Sequence, residues 1–150
     1  MPIGEICVRE VVVARRDTTV QEAAHLMRHH HVGNLLVVER NNGSGSVPVG
    51  IVTDRDITIS VVATRLDPAV FTLGDLLTGD LVAADEEQGI FETIQQMRQK
   101  GVRRMPVVNR EGGLVGIVSL DDMVQLLADE MNELAKLVSN EQVREARTKQ

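Results

Sequence analysis

Apolar positions in this chain alternate between a strand-like and a helix-like rhythm, and the whole cycle runs twice. Val8 to Ala14 is rich in β-branched residues and reads as a strand. Thr19-Val20-Gln21-Glu22 is a capping box, and Val20, Ala23, Ala24 and Met27 place one apolar face on the helix it opens. Val32 to Val38 and Val49 to Val52 follow as strands, and Asp54 to about Ala63 as a second helix. The cycle returns with a strand at Leu81-Val82-Ala83, a helix over Ile90 to Lys100, strands over Met105 to Val108 and Leu114 to Val118, and a helix from Leu120. Gly89 and Glu92 stand where the first cycle has its capping pair, and Gly is an acceptable N-cap.

The two cycles are a true internal repeat. Met27 and Met97, Val32 and Val102, and Val38 and Val108 each recur 70 positions apart, whereas Gly50 and Gly116 recur at 66. The first copy therefore carries a longer connection before its last strand. Glu39 to Val49, containing Asn42-Gly43-Ser44-Gly45-Ser46, reads as a loose hairpin loop, and Arg110-Glu111-Gly112-Gly113 as a tighter one. Each β-α-β-β-α unit has about 60 residues, too few for a comfortable core alone, so the two are expected to pack into one body. The expected fold is α/β (α+β): two such repeats related by a pseudo-twofold axis, with boundaries at 1–66 and 67–130, and a C-terminal helical extension and tail over 131–150.

Each copy ends in one motif. Gly50-Ile51-Val52-Thr53-Asp54-Arg55-Asp56 and Gly116-Ile117-Val118-Ser119-Leu120-Asp121-Asp122 both spell Gly, two β-branched residues, a hydroxyl, two spacers and a carboxylate. A buried strand feeding a helix fits this order, with the hydroxyl residue as N-cap and the acid at N3. The same residues make a plain helix start or, with unpaired N–H groups and the positive end of the helix dipole, an anion site.

Composition narrows the function. The chain has 150 residues, 43% hydrophobic and 25% charged, which suits a globular body without disordered bias. A net charge of −6 argues against nonspecific nucleic-acid binding, and two Phe with no Tyr or Trp remove the aromatic platforms of single-strand binders. No apolar run approaches the roughly 20 residues of a membrane span, and the N-terminus lacks a signal-peptide pattern. With a single cysteine, Cys7, no internal disulfide forms, and a reduced, cytoplasmic location is expected.

Several constellations carry less. His25 and His29 stand at i, i+4, but the Glu of a His-Glu-x-x-His motif is missing, so no metal site is expected; a solvated or interface helix end accounts for His25, His29, His30 and His31. Cys7 has no evident base. Gly43-Ser44-Gly45 is not followed by Lys-Ser/Thr and is no phosphate loop. Asp85-Glu86-Glu87 precedes a helix start, where acids complement the dipole. Lys100, Arg103 and Arg104 read equally as polyphosphate contacts or as a solvated basic cluster. Arg55 near the cap Thr53 opposes the dipole unless an anion lies close.

The doubled Gly-h-h-Thr/Ser-x-x-Asp segments, with Val102-Arg103-Arg104-Met105-Pro106-Val107-Val108, resemble a tandem pair of CBS (cystathionine β-synthase) domains, a Bateman module, over roughly residues 5 to 130. The likeness is strongest to small stand-alone bacterial pairs. It implies adenosine-containing ligands in clefts between the repeats. Thr53 and Ser119 would bond phosphate or its counterpart, and Asp56 and Asp122 would accept from ribose hydroxyls. Adenine would lie against Val12, Val32 and Ile51 in one cleft and Val82, Val102 and Ile117 in the other, with backbone near Gly33 and Arg103 reading its edge. Leu36 stands where the family often has proline, a departure confined to the first repeat.

The expected function is a non-catalytic regulatory sensor of AMP, ADP, ATP or S-adenosylmethionine, with no catalytic cofactor, acting as a homodimer on an effector protein. One rival is a dimerisation or interaction module with vestigial nucleotide sites. Leu120, Met123, Val124, Leu127, Met131, Leu134 and Val138 form an apolar stripe on the last helix that serves such docking or caps the chain's own core. A second rival, a metal-dependent hydrolase using Asp54, Asp56, Asp121 and Asp122, lacks a nucleophile or base.

Overall fold

The computed structural model describes residues 1–43 and 45–149. Residues Met1–Val118 form one compact unit and Ser119–Gln150 a second. The first holds two three-stranded sheets. One orders β1 (Val13–Ala14), β2 (Asn34–Asn41) and β3 (Gly45–Thr53); the other orders β4 (Ala84–Asp85), β5 (Arg104–Val108) and β6 (Leu114–Ser119). The first strand of each sheet runs parallel to the second, Val13 opposite Leu36 and Ala84 opposite Val107.

Helices α1 (Val20–His30) and α4 (Ile90–Lys100) begin where sequence places them. Thr19 and Glu22 close the capping box, with Glu22 N–H donating to Thr19 Oγ1 at 3.1 Å and Thr19 N–H to Glu22 Oε2 at 2.9 Å. Both helices end on a left-handed residue, His31 at φ 53° and Gly101 at φ 66°. Val20, Ala23 and Met27 are buried, and Ala23 and Met27 join Leu35, Val37, Val52 and Leu73 in one core. Short α2 (Asp54–Ile57) widens into a π-helical turn at Thr58–Val62, which replaces the continuous helix expected to Ala63.

Three expectations need correction. The strand expected over Val8 to Ala14 shrinks to two residues, with Val8 instead bridging Ile117. The strand expected at Leu81-Val82-Ala83 lies at Ala84–Asp85. The expected loose loop at Glu39 to Val49 is mostly zipped ladder, with Glu39 opposite Val47 and Asn41 opposite Gly45 and a register shift at Val37/Val38. Backbone pairing overrides the polar side chains there. Ser44, part of that loop reading, lies outside the described residues.

The segments that precede the repeats are exchanged. Ile3 and Gly4 donate to Gln88 O and Glu86 O at 2.7 and 2.9 Å, on the turn that enters α4. Reciprocally, Leu73 and Gly74, in the short helix α3 (Leu73–Leu76), donate to Thr18 O and Arg16 O at 2.8 and 2.9 Å, on the turn that enters α1. Ile3 and Leu73 are both fully buried. Each repeat is thus completed by the lead segment of the other, which satisfies backbone groups that neither could pair alone.

The second unit is α5 (Leu120–Thr148), opened by Ser119 as N-cap. No described helix is long and apolar enough to cross a membrane.

Candidate functional site

The strand-to-helix junction at β3 and α2 sets one carboxylate. Thr53 N–H donates to Asp56 Oδ2 at 2.8 Å and Asp56 N–H to Thr53 Oγ1 at 3.1 Å, so the cap holds the side chain in one orientation. Asp56 is half-buried and lines a crevice of about 270 Å³. The first repeat adds Val49, Gly50 and Ile51; the second adds Val82, Val102 and Arg104. The linker from Leu76 to Leu81 forms the remaining wall. Two acids, Asp56 and the linker's Asp80, one guanidinium and several aliphatic side chains therefore line one cleft, a mixture suited to a small ligand with an apolar ring and polar ends.

The grouping expected for the apolar residues is corrected here. Ile51 shares its crevice with Val82 and Val102, not with Val12 and Val32. Those two line a separate depression with Arg9, Glu10, Leu26 and His30. The linker is the physical reason, because Leu77 crosses Gly50 of the first motif and the chain then runs on to Val82 along the same wall.

Other expected residues fall as follows. Arg55 and Arg103 are exposed and do not line the crevice, whereas Arg104 does. The Gly33 carbonyl already accepts from Asp54 N–H at 2.9 Å. Ile117 pairs both backbone groups with Val8, at 2.9 Å each. In the second unit, Ser119 N–H and Oγ donate to Asp122 Oδ2 at 2.8 and 2.9 Å, and Asp122 N–H donates to Ser119 Oγ at 3.2 Å. The second motif repeats the capping box of the first and adds the bond from the Ser119 hydroxyl, which the Thr53 hydroxyl does not make to Asp56. Residues 76 to 81 were missed in sequence because a linker wall has no periodic signature.

Cys7 is buried, and its Sγ donates to Gly4 O at 3.5 Å. Burial pushes its thiol above the ordinary value, against a downward pull from Arg9 and its backbone hydrogen bond, with Glu86 adding to the rise. A neutral, enclosed thiol is a packing element, not a nucleophile.

The comparisons agree with this architecture. A family model for the CBS domain matches residues 3–62 and 73–129. The chain is 35% identical over 129 residues to hypoxic response protein 1 of Mycobacterium tuberculosis, covering 86% of this chain and 82% of that one. It is 32% identical over 124 residues to an uncharacterized protein of Methanopyrus kandleri, covering 83% of this chain but only 61% of that protein. Among solved structures, a CBS domain protein from Pyrobaculum aerophilum, complexed with AMP, is 26% identical with a TM-score of 0.71, over 86% of this chain and 99% of that one.

Proposed function

We propose that this chain, which belongs to the CBS domain family and carries two copies of the domain, is a non-catalytic regulatory module that binds an adenosine-containing ligand in the crevice at Asp56. The observation that carries the reading is the convergence of Asp56, Ile51, Val82, Val102 and Arg104 on one cleft drawn from both repeats.

Each residue type suits one part of such a ligand. A carboxylate fixed through Oδ2 has Oδ1 to accept from vicinal ribose hydroxyls. Ile51, Val82 and Val102 present aliphatic surface to an adenine ring, in a protein without Tyr or Trp to stack on it. Arg104 on the crevice suits a phosphate, and the Thr53 hydroxyl, which accepts from Asp56 N–H beside the crevice, retains its proton for a ligand oxygen. A volume near 270 Å³ is at the low end for small-molecule sites, so the nucleoside is held inside and additional phosphates extend toward solvent. AMP in the Pyrobaculum aerophilum relative supports this ligand class. Ser119 and Asp122 repeat the hydroxyl and the carboxylate, but the Ser119 hydroxyl donates to Asp122 Oδ2, so a second ligand would have to draw that proton away.

The signal is a change in the arrangement of repeats or subunits. A ligand drives it only as far as it prefers one arrangement, and a homodimer would convey it to an effector protein. Equilibrium dialysis against AMP, ADP, ATP and S-adenosylmethionine tests the reading: saturable binding of at least one is expected, and none at millimolar ligand would overturn it.

A further inference from the structure

We propose that Leu120 to Val138 of α5 forms a parallel two-stranded coiled coil with a second copy of this chain. This deepens the homodimer reading above and rests on it. The helix has 29 residues, about 43 Å at the usual rise. Every described residue from Leu127 to Lys149 is exposed. Most of a helix's stability in a protein comes from packing its apolar face, so one whose apolar side is uncovered calls for a partner.

The spacing of that side identifies the partner. Leu120, Val124, Leu127, Met131, Leu134 and Val138 alternate by four and three, the repeat of a left-handed coil, and they stay exposed and do not lie on a core. In this register Val124, Met131 and Val138 occupy a, and Leu120, Leu127 and Leu134 occupy d. A β-branched residue at a with Leu at d favours two parallel strands.

All six are exposed, from 40% at Leu120 to 67% at Met131. Twelve such side chains from two copies, with the flanking e and g positions, cover on the order of 1,000 Å², enough for a specific interface. The flanks Ala128, Glu130, Ala135 and Leu137 bring no like charges together, since Glu130 at g faces alanine at e. The polar pairs Lys136 to Glu133 and Gln125 to Asp129, both at 2.9 Å, lie on the outer positions b, c and f.

Disulfide trapping with sedimentation tests this on the full chain. Leu127→Cys and Leu134→Cys, made separately, should each oxidise to more than about four-fifths covalent dimer, while the parent with buried Cys7 does not. Only a parallel, in-register pair brings each position against itself at both sites. A dimer by sedimentation with neither or only one variant trapped would overturn the coil and leave the homodimer standing. A monomer at micromolar concentration would overturn both, whatever the dialysis shows.

Discussion

Leu77, from the linker between the repeats, lies across Gly50 so closely that its Cδ2 occupies the room a β-carbon would need. In the second repeat Gly116 is crossed in the same way, a β-carbon there meeting Val8 O at 2.5 Å and Cys7 Sγ at 2.8 Å. The glycine that opens each motif is thus fixed by a segment passing over it. Both glycines are in β3 or β6, and neither needs its freedom at positive φ.

The difference between the two obstacles gives the first prediction. At Gly50 the obstacle is the far end of a leucine that also lines the crevice, so Gly50→Ala should push Leu77 into the cleft. A stability loss of about 1–3 kcal/mol in urea melts is expected, with weaker AMP binding, and adding Leu77→Ala should recover the binding. Gly116→Ala meets backbone and should cost more than Gly50→Ala, because the Val8 to Ile117 pairing must open.

The capping role of Asp56 and its proposed ligand role separate by substitution. Asp56→Asn keeps an oxygen for the Thr53 N–H, so stability should change by less than about 1 kcal/mol. The charge that strengthens bonds to ribose hydroxyls is gone, and affinity should fall about tenfold by calorimetry. Asp56→Ala removes both and should lose the cap energy as well.

If Arg104 takes the phosphate, as proposed, its loss should spare the nucleoside. Arg104→Ala should weaken AMP about fivefold, as expected for an exposed ion pair, and leave adenosine unchanged. Equal losses for both ligands would remove Arg104 from the phosphate position.

Cys7 gives a pH dependence with a definite sign. Burial raises its folded value above the ordinary 9.0, so the folded state keeps a proton that the unfolded chain releases. The stability this confers is complete below pH 9 and falls as pH rises through the folded value. Denaturation at pH 8 and pH 10 should show a smaller alkaline loss in Cys7→Ala than in the parent, and alkylation of the native thiol at pH 7 should be slow.

Much of this fold was legible because helix starts are local. Thr19 with Glu22, and the acids three residues after Thr53 and Ser119, announce their caps without tertiary help. The entry strands were harder. Leu81 and Val82 read as a strand because aliphatic residues in a row do, yet they lie on the crevice wall just before the ladder at Ala84–Asp85. The exchanged lead segments were missed, although Ile3-Gly4-Glu5 and Leu73-Gly74-Asp75 repeat an apolar, Gly, acid pattern at the same spacing of 70. Without the linker's path across Gly50, Ile51 was assigned to Val12 and Val32 and not to Val82 and Val102. Asp56 needed no such knowledge, since the motif alone marks it.

Methyl NMR during an AMP titration tests the central claim most directly, because Ile51, Leu77, Val82 and Val102 all carry methyl groups on the crevice. The account predicts saturable shifts concentrated on those four residues and abolished by Asp56→Ala. Unmoved crevice methyls at millimolar AMP, ADP, ATP and S-adenosylmethionine, or shifts that leave these four untouched, would contradict it.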